Sequence, residues 1–221
     1  MCAAQNVWGG KKRDGAAANP GMNLTLAADA APDARTIDLQ AARRAATEFL
    51  RALGADPEAP GLEETPRRLA DAYAELLTPV AFEPTTFPNT DGYDELVVAG
   101  SIPFHSLCEH HLLPFTGVAH VGYLPGDRII GLSKLARVVD LCARDLQVQE
   151  RLTQQIADWL EEHLAPRGVG VVLEAEHLCM SLRGVHKPGT RTVTSALLGC
   201  VRDDARTREE FLRLTRSPGE R

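Results

Sequence analysis

The order of periodic segments predicts an α+β protein, an antiparallel sheet with helices packed against it. Three observations carry that prediction. Helical spacing dominates up to Pro79. The period then changes from about Glu95, where apolar residues begin to alternate. Beyond that point, strand-like segments come in adjacent pairs around a long helical stretch, giving helix, helix, strand, strand, helix, helix, strand, strand, helix. With 221 residues, 44% of them apolar, the chain is long enough for one domain with a sizeable core and needs no disulfide staples.

Residues 1–36 are rich in Ala, Gly, Asn, Asp and Pro without sustained periodicity, and are expected to be a disordered leader. The domain is expected over 37–221, with N-terminal helices at 37–80 and a core at 95–221. The first helix is predicted from Asp38 to Leu53, where Ala41, Ala45, Phe49 and Leu53 form a four-spaced apolar line and Gly54 is a stop. For the second, Thr65 is the expected N-cap with Pro66 at the first helical position, Leu69, Tyr73 and Leu76 on one face, and Pro79 as terminator.

ELVVAGSIPFHS and TGVAHVGYL read as extended, and PGD at 125–127 is a turn signal. RIIGLS is a short apolar segment ending at Ser133, the expected N-cap of the longest helical stretch. Within that stretch LQVQ is β-leaning, so a break into two helices is expected there. VGVVLEAEHLCM and TRTVTSALLGCV read as strands joined by a turn at HKPG, and TREEFLRLTRS as a closing helix.

The formal net charge of −6 argues against a nucleic-acid-tracking surface, which is usually basic. There is no apolar run of membrane-spanning length and no apolar signal segment at the N-terminus, so no membrane partner is expected. The five cysteines are sparse and odd in number, which fits a reduced, cytoplasmic protein. Cys142 and Cys200 lie on apolar faces and read as core.

The chemistry concentrates in two short stretches. SLCEHHLLPF sets Cys108 and His111 in a C-x-x-H spacing that can reach one ion from a turn, with His110 as an adjacent imidazole. EAEHLCM places His177 and Cys179 two apart at the end of a predicted strand, on one face of it. Two thiolates and one imidazole would hold a zinc ion with one position left for water, made acidic and nucleophilic there. The remaining histidines could then move protons. A closed structural site, with His110 or His177 as a fourth ligand, satisfies the same spacing.

A second cluster is basic. Ser133, Lys134 and Arg137 open the long helical stretch, Arg183 follows Cys179 closely, and Arg68 opens the second helix. Together with a helix N-terminus they could hold a polyphosphate, although ordinary surface charge explains each one singly. In QVQE, Glu150 can accept two hydrogen bonds from a guanine edge, or simply be a solvated helix start.

CEHHLLPFTGVAHVGYLP, GLSKLARVV, LQVQERLTQQIADWL, HLCMSLRGV, TVTSALLG and TREEFL, in that order from Thr65 to Arg216, resemble the GTP cyclohydrolase I family. The resemblance implies the tunnelling fold, in which ββααββ units with helices on one face complete a barrel by oligomerisation. It implies a homodecamer with sites shared between subunits. It also implies conversion of GTP and water to 7,8-dihydroneopterin triphosphate and formate, as the first step of folate or pterin biosynthesis. By position it makes Cys108, His111 and Cys179 the zinc ligands and His110 and His177 the proton-transfer groups. Ser133 is linked to the ribose rearrangement. Lys134, Arg137, Arg183 and Arg68 fall on triphosphate contacts, and Gln149 and Glu150 on guanine contacts. Glu109, between the thiol and the histidines, is expected to orient its neighbours.

Overall fold

The computed structural model describes residues 36–215, so nearly all of the expected leader lies outside the described residues. Two helices come first: α1 (Leu39–Ala52) and α2 (Thr65–Leu76). Asp38 caps α1, its carboxylate accepting from Ala41 N at 2.9 Å, and Gly54 at φ +83° lets the chain leave the helix. Thr65 is the first residue of α2 rather than its cap. Glu64 holds the cap position without a side-chain bond to the backbone and pairs with Arg67 instead.

The core is a five-stranded sheet ordered β5-β2-β3-β6-β7. Its strands are β2 (Val97–Cys108), β3 (Pro114–Leu124), β5 (Leu146–Gln147), β6 (Gly168–His177) and β7 (Arg191–Leu198). All neighbours are antiparallel except β5, which runs parallel to the end of β2. A separate two-stranded ladder joins β1 (Thr86–Pro88) to β4 (Arg128–Ile130). β1 is three residues long and ends in proline, too short to show a period in the sequence.

The expected break at LQVQ is present, and it is itself the strand β5. Helix α3 (Leu132–Ala143) precedes it and α4 (Gln149–Leu164) follows. Ser133 lies inside the first turn of α3. The cap position belongs to Gly131, whose N–H bonds Thr85 O at 3.0 Å, so the β1–β4 pairing carries extended backbone up to the helix and leaves no room for a serine cap.

Strand β6 stops at His177, and Cys179 sits on the short helix α5 (Leu178–Ser181). The expectation that His177 and Cys179 share a strand face is therefore replaced by a strand-to-helix turn. Helix α6 (Gly199–Asp203), absent from the sequence reading, precedes α7 (Ala205–Thr215).

Alternation along the strands sends Val121, Tyr123, Val169 and Val171 into the main core with Leu135, Val138, Ile156 and Leu160 of α3 and α4. The opposite face is partly covered as well. Phe211 of α7, fully buried, fits over Gly122 and Gly170, where added Cβ atoms would stand 3.0 and 2.6 Å from its ring. The helices expected on one face are thus α3 and α4, and α7 adds cover on the other.

Candidate active site

The hairpin between β2 and β3 builds half of the site. Cys108 ends β2 and is pinned from both sides. Its N–H donates to Leu113 O at 2.9 Å, while Glu109 N donates to Gln147 O at 3.1 Å from β5. Leu112 takes φ +55° to close the turn, and its carbonyl accepts from Tyr73 Oη of α2 at 2.9 Å. Helix α2 therefore helps hold the loop that carries the paired histidines.

The β3–β6 register supplies the other half. It pairs Phe115 with His177, which brings the end of β6 and the start of α5 against the hairpin. The ligand atoms of Cys108, His111 and Cys179 lie within 4.8 Å of one another, the one such group of three among the described residues. Both neighbouring imidazoles approach Cys108 Sγ, His111 Nδ1 at 3.7 Å and His110 Nδ1 at 3.9 Å. Cys179 separates them, because its thiol converges with His111 and not with His110.

This donor set suits zinc. Sulfur and nitrogen ligands of a tetrahedral zinc ion stand roughly 3.6 Å apart, close to the spacing of Cys108 and His111. Burial and the neighbouring Cys108 both push the Cys179 thiol up, which a cation bound beside it would offset. Arg183 acts in the opposite sense on Cys179.

The two remaining histidines occupy different surroundings. The His110 side chain is 63% exposed, and its Nε2 is 3.7 Å from Glu109 Oε1. His177 is half-buried, its ring stacked on Phe115 with centroids 4.6 Å apart and planes 4° apart, and Nε2 is 2.8 Å from Gln149 Oε1. Burial lowers its pKa, with Glu150 opposing.

Glu109, unassigned in the sequence, has a clear partner: its Oε2 accepts from Arg151 Nη2 at 2.6 Å. The same Arg151 donates to Leu146 O at 2.6 Å and to Gln147 Oε1 at 3.0 Å. Arg151 thus ties the histidine loop to the start of α4. Only its four-residue spacing from Gln147 could have flagged it.

The basic candidates are not all gathered here. Ser106 Oγ donates to Ala143 O at 2.6 Å, which fixes the C-terminal end of α3 beside Cys108. Ser133 lies at the other end of α3, about ten residues and roughly 15 Å of helix away. Lys134, whose Nζ lies 5.7 Å over the Phe82 ring, and Arg137 share that half of the helix. Arg68 is exposed on α2 ahead of Tyr73, and Arg183 is exposed after α5, beside Cys179. Glu150 is exposed at the start of α4, whereas Gln149 is 1% exposed with its amide committed inside the protein.

A sequence profile described as GTP cyclohydrolase I matches residues 42–216. The GTP cyclohydrolase 1 of Aquifex aeolicus is 52% identical over 180 residues, covering 81% of this chain and 98% of its own length. That of Mycobacterium leprae is 52% identical over 198 residues, covering 87% and 97%. That of Mycobacterium tuberculosis is 53% identical over 185 residues, covering 81% and 92%. Among solved structures, the archaeosine synthase QueF-Like in the apo form aligns with 47% of this chain and 93% of its own, at 16% identity and TM-score 0.40.

Proposed function

The chain belongs to the GTP cyclohydrolase I family, and on that footing we propose that it opens the guanine imidazole ring of GTP with water, releases formate and yields 7,8-dihydroneopterin triphosphate. The observation that carries this reading is the convergence of Cys108, His111 and Cys179 beside two imidazoles outside that group.

Cys108, His111 and Cys179 are the residues that would hold zinc, which when bound acidifies water and polarises an unsaturated carbon. The chain's own groups do the rest. His110, exposed at the rim with Glu109 beside it, gives a proton to a nitrogen of the opening ring. His177, held between Phe115 and Gln149, moves the proton that accompanies formate loss. Glu150 accepts from the guanine edge at the mouth of the site. Arg183 and Arg68 meet phosphate from the near side. Ser133, Lys134 and Arg137 lie far along α3 from Cys108 of the same chain. That separation supports a site completed by α3 of a second copy, and the family's pattern makes the assembly a decamer working in the cytoplasm.

Incubating the zinc-loaded protein with GTP tests the reading. Stoichiometric formate and a product that fluoresces as a pterin after oxidation are expected. GTP recovered intact, or consumed without formate, contradicts it.

A further inference from the structure

Gln149 lies where a guanine contact is expected, yet its side chain is 1% exposed and every polar atom on it is engaged. Nε2 donates to Thr192 O at 2.9 Å, Leu173 O at 3.1 Å and Thr194 Oγ1 at 3.1 Å, two N–H bonds shared among three acceptors. Thr153 Oγ1 donates to Gln149 O at 2.7 Å and lies 2.6 Å from Thr194 Oγ1, which closes the network. Two of the amide's neighbours are backbone carbonyls, which only accept. Turning the amide over would set its oxygen against both, so its orientation is settled by chemistry. Oε1 is therefore the atom that meets His177 Nε2 at 2.8 Å, and an amide oxygen can only accept. The ring is also fixed about its plane by the parallel stack on the fully buried Phe115.

We propose that Gln149 is a positioning residue for the reaction: its locked amide holds His177 as the Nε2–H tautomer and leaves Nδ1 as the ring nitrogen with a free lone pair. A proton that His177 takes up is taken at Nδ1 and returned from Nδ1, while Nε2–H stays bonded to Gln149 throughout. Recognition of guanine then falls to Glu150 and backbone groups, because recruiting the Gln149 amide would leave Leu173 O, Thr192 O and His177 Nε2 short of partners in a buried place. This inference rests on His177 being a proton-transfer group of the proposed reaction.

The test has two arms. In the first, the metal-loaded wild-type protein is labelled with 15N-histidine, and the His177 ring signals are identified by their loss in His177→Asn. A protonated Nε2 and an unprotonated Nδ1 at neutral pH are expected, whereas an Nδ1–H tautomer or an even mixture overturns the proposal. In the second, Gln149→Leu is expected to lower kcat for GTP by roughly 10- to 100-fold, with KM within about threefold of wild type. A raised KM with kcat intact returns Gln149 to guanine binding and overturns the proposal. Should the leucine variant not fold, the wild-type spectrum alone decides. A wild-type protein that releases no formate from GTP sinks the reaction, and the tautomer is still settled by the first arm.

Discussion

His110 and His111 are adjacent and chemically identical, and the fold gives them different surroundings. His111 turns toward the two thiols, while His110 stays at the rim against Glu109. Glu109 is held in turn by Arg151, which reaches from α4 to the loop at 2.6 Å. Arg151→Met removes that tether and the bonds to Leu146 O and Gln147 Oε1, and is expected to weaken zinc retention by roughly 10- to 100-fold in a chelator competition. Unchanged retention would show that the loop holds its shape without the arginine. Cys142 is the contrasting thiol. Burial pushes it up to about 12, so it stays protonated at pH 8 and should react with iodoacetamide only after unfolding.

At the scale of elements, the sheet register assembles the site. Gly117 of β3 allows β6 to lie alongside, because a Cβ there would come 1.9 Å from Glu174 O and 2.6 Å from Ala175 Cα. Those are backbone atoms with nowhere to go. Gly117→Ala is expected to destabilise the fold by about 3 kcal/mol or more, read as a drop in the denaturant midpoint.

His120, on the same strand, is 5% exposed. Its Nδ1 accepts from Ser101 N at 3.3 Å across the bulge in β2 where Ser101 takes φ +55°. Burial lowers its pKa below 6.5, and Glu174, itself paired with Arg191 at 3.2 Å, opposes. A histidine with a depressed folded pKa contributes stability in full above its unfolded value, and loses it as pH falls through the folded one. Wild type should therefore lose stability on acidification below pH 6.5 faster than His120→Gln, by at most about 1.4 kcal/mol per pH unit. Parallel thermal melts across pH 5 to 8 read the difference, and identical pH slopes would contradict it.

Most of these elements were legible in the sequence, because α1, α2, the two hairpin strands and the break at LQVQ each carry a period or a stop signal. The boundaries that failed have physical causes. Thr65 and Ser133 have the chemistry of caps, but backbone bonds from Thr65 N to Leu62 O and from Gly131 N to Thr85 O start each helix one or two residues from the expected point. β1 and α6 are too short to show periodicity. In the site, the spacing in CEHH and HLCM pointed to the three residues whose donor atoms converge. The Gln149 network did not show, since Leu173, Thr192, Thr194 and His177 meet Gln149 only through the pairing of β6 and β7 beneath α4.

At the scale of the whole molecule, the distance between Ser133 and the Cys108 end of α3 has a consequence that subunit mixing can test. Cys108→Ser chains keep α3 intact, and Lys134→Ala chains keep the thiols and histidines. If sites form between copies, co-refolding the two inactive proteins should restore part of the formate release, because some sites then receive both intact halves. No recovery from mixtures that do assemble would place the whole site within one chain. Among the described residues no helix is long and apolar enough to cross a membrane.

The proposed division of labour gives Cys108, His111 and Cys179 the metal and His110 and His177 the protons. Zinc content and GTP turnover measured together on His110→Ala and His111→Ala test it most directly. His110→Ala is expected to retain zinc and lose turnover, and His111→Ala to lose both. Zinc lost from His110→Ala and retained by His111→Ala would reverse the assignment.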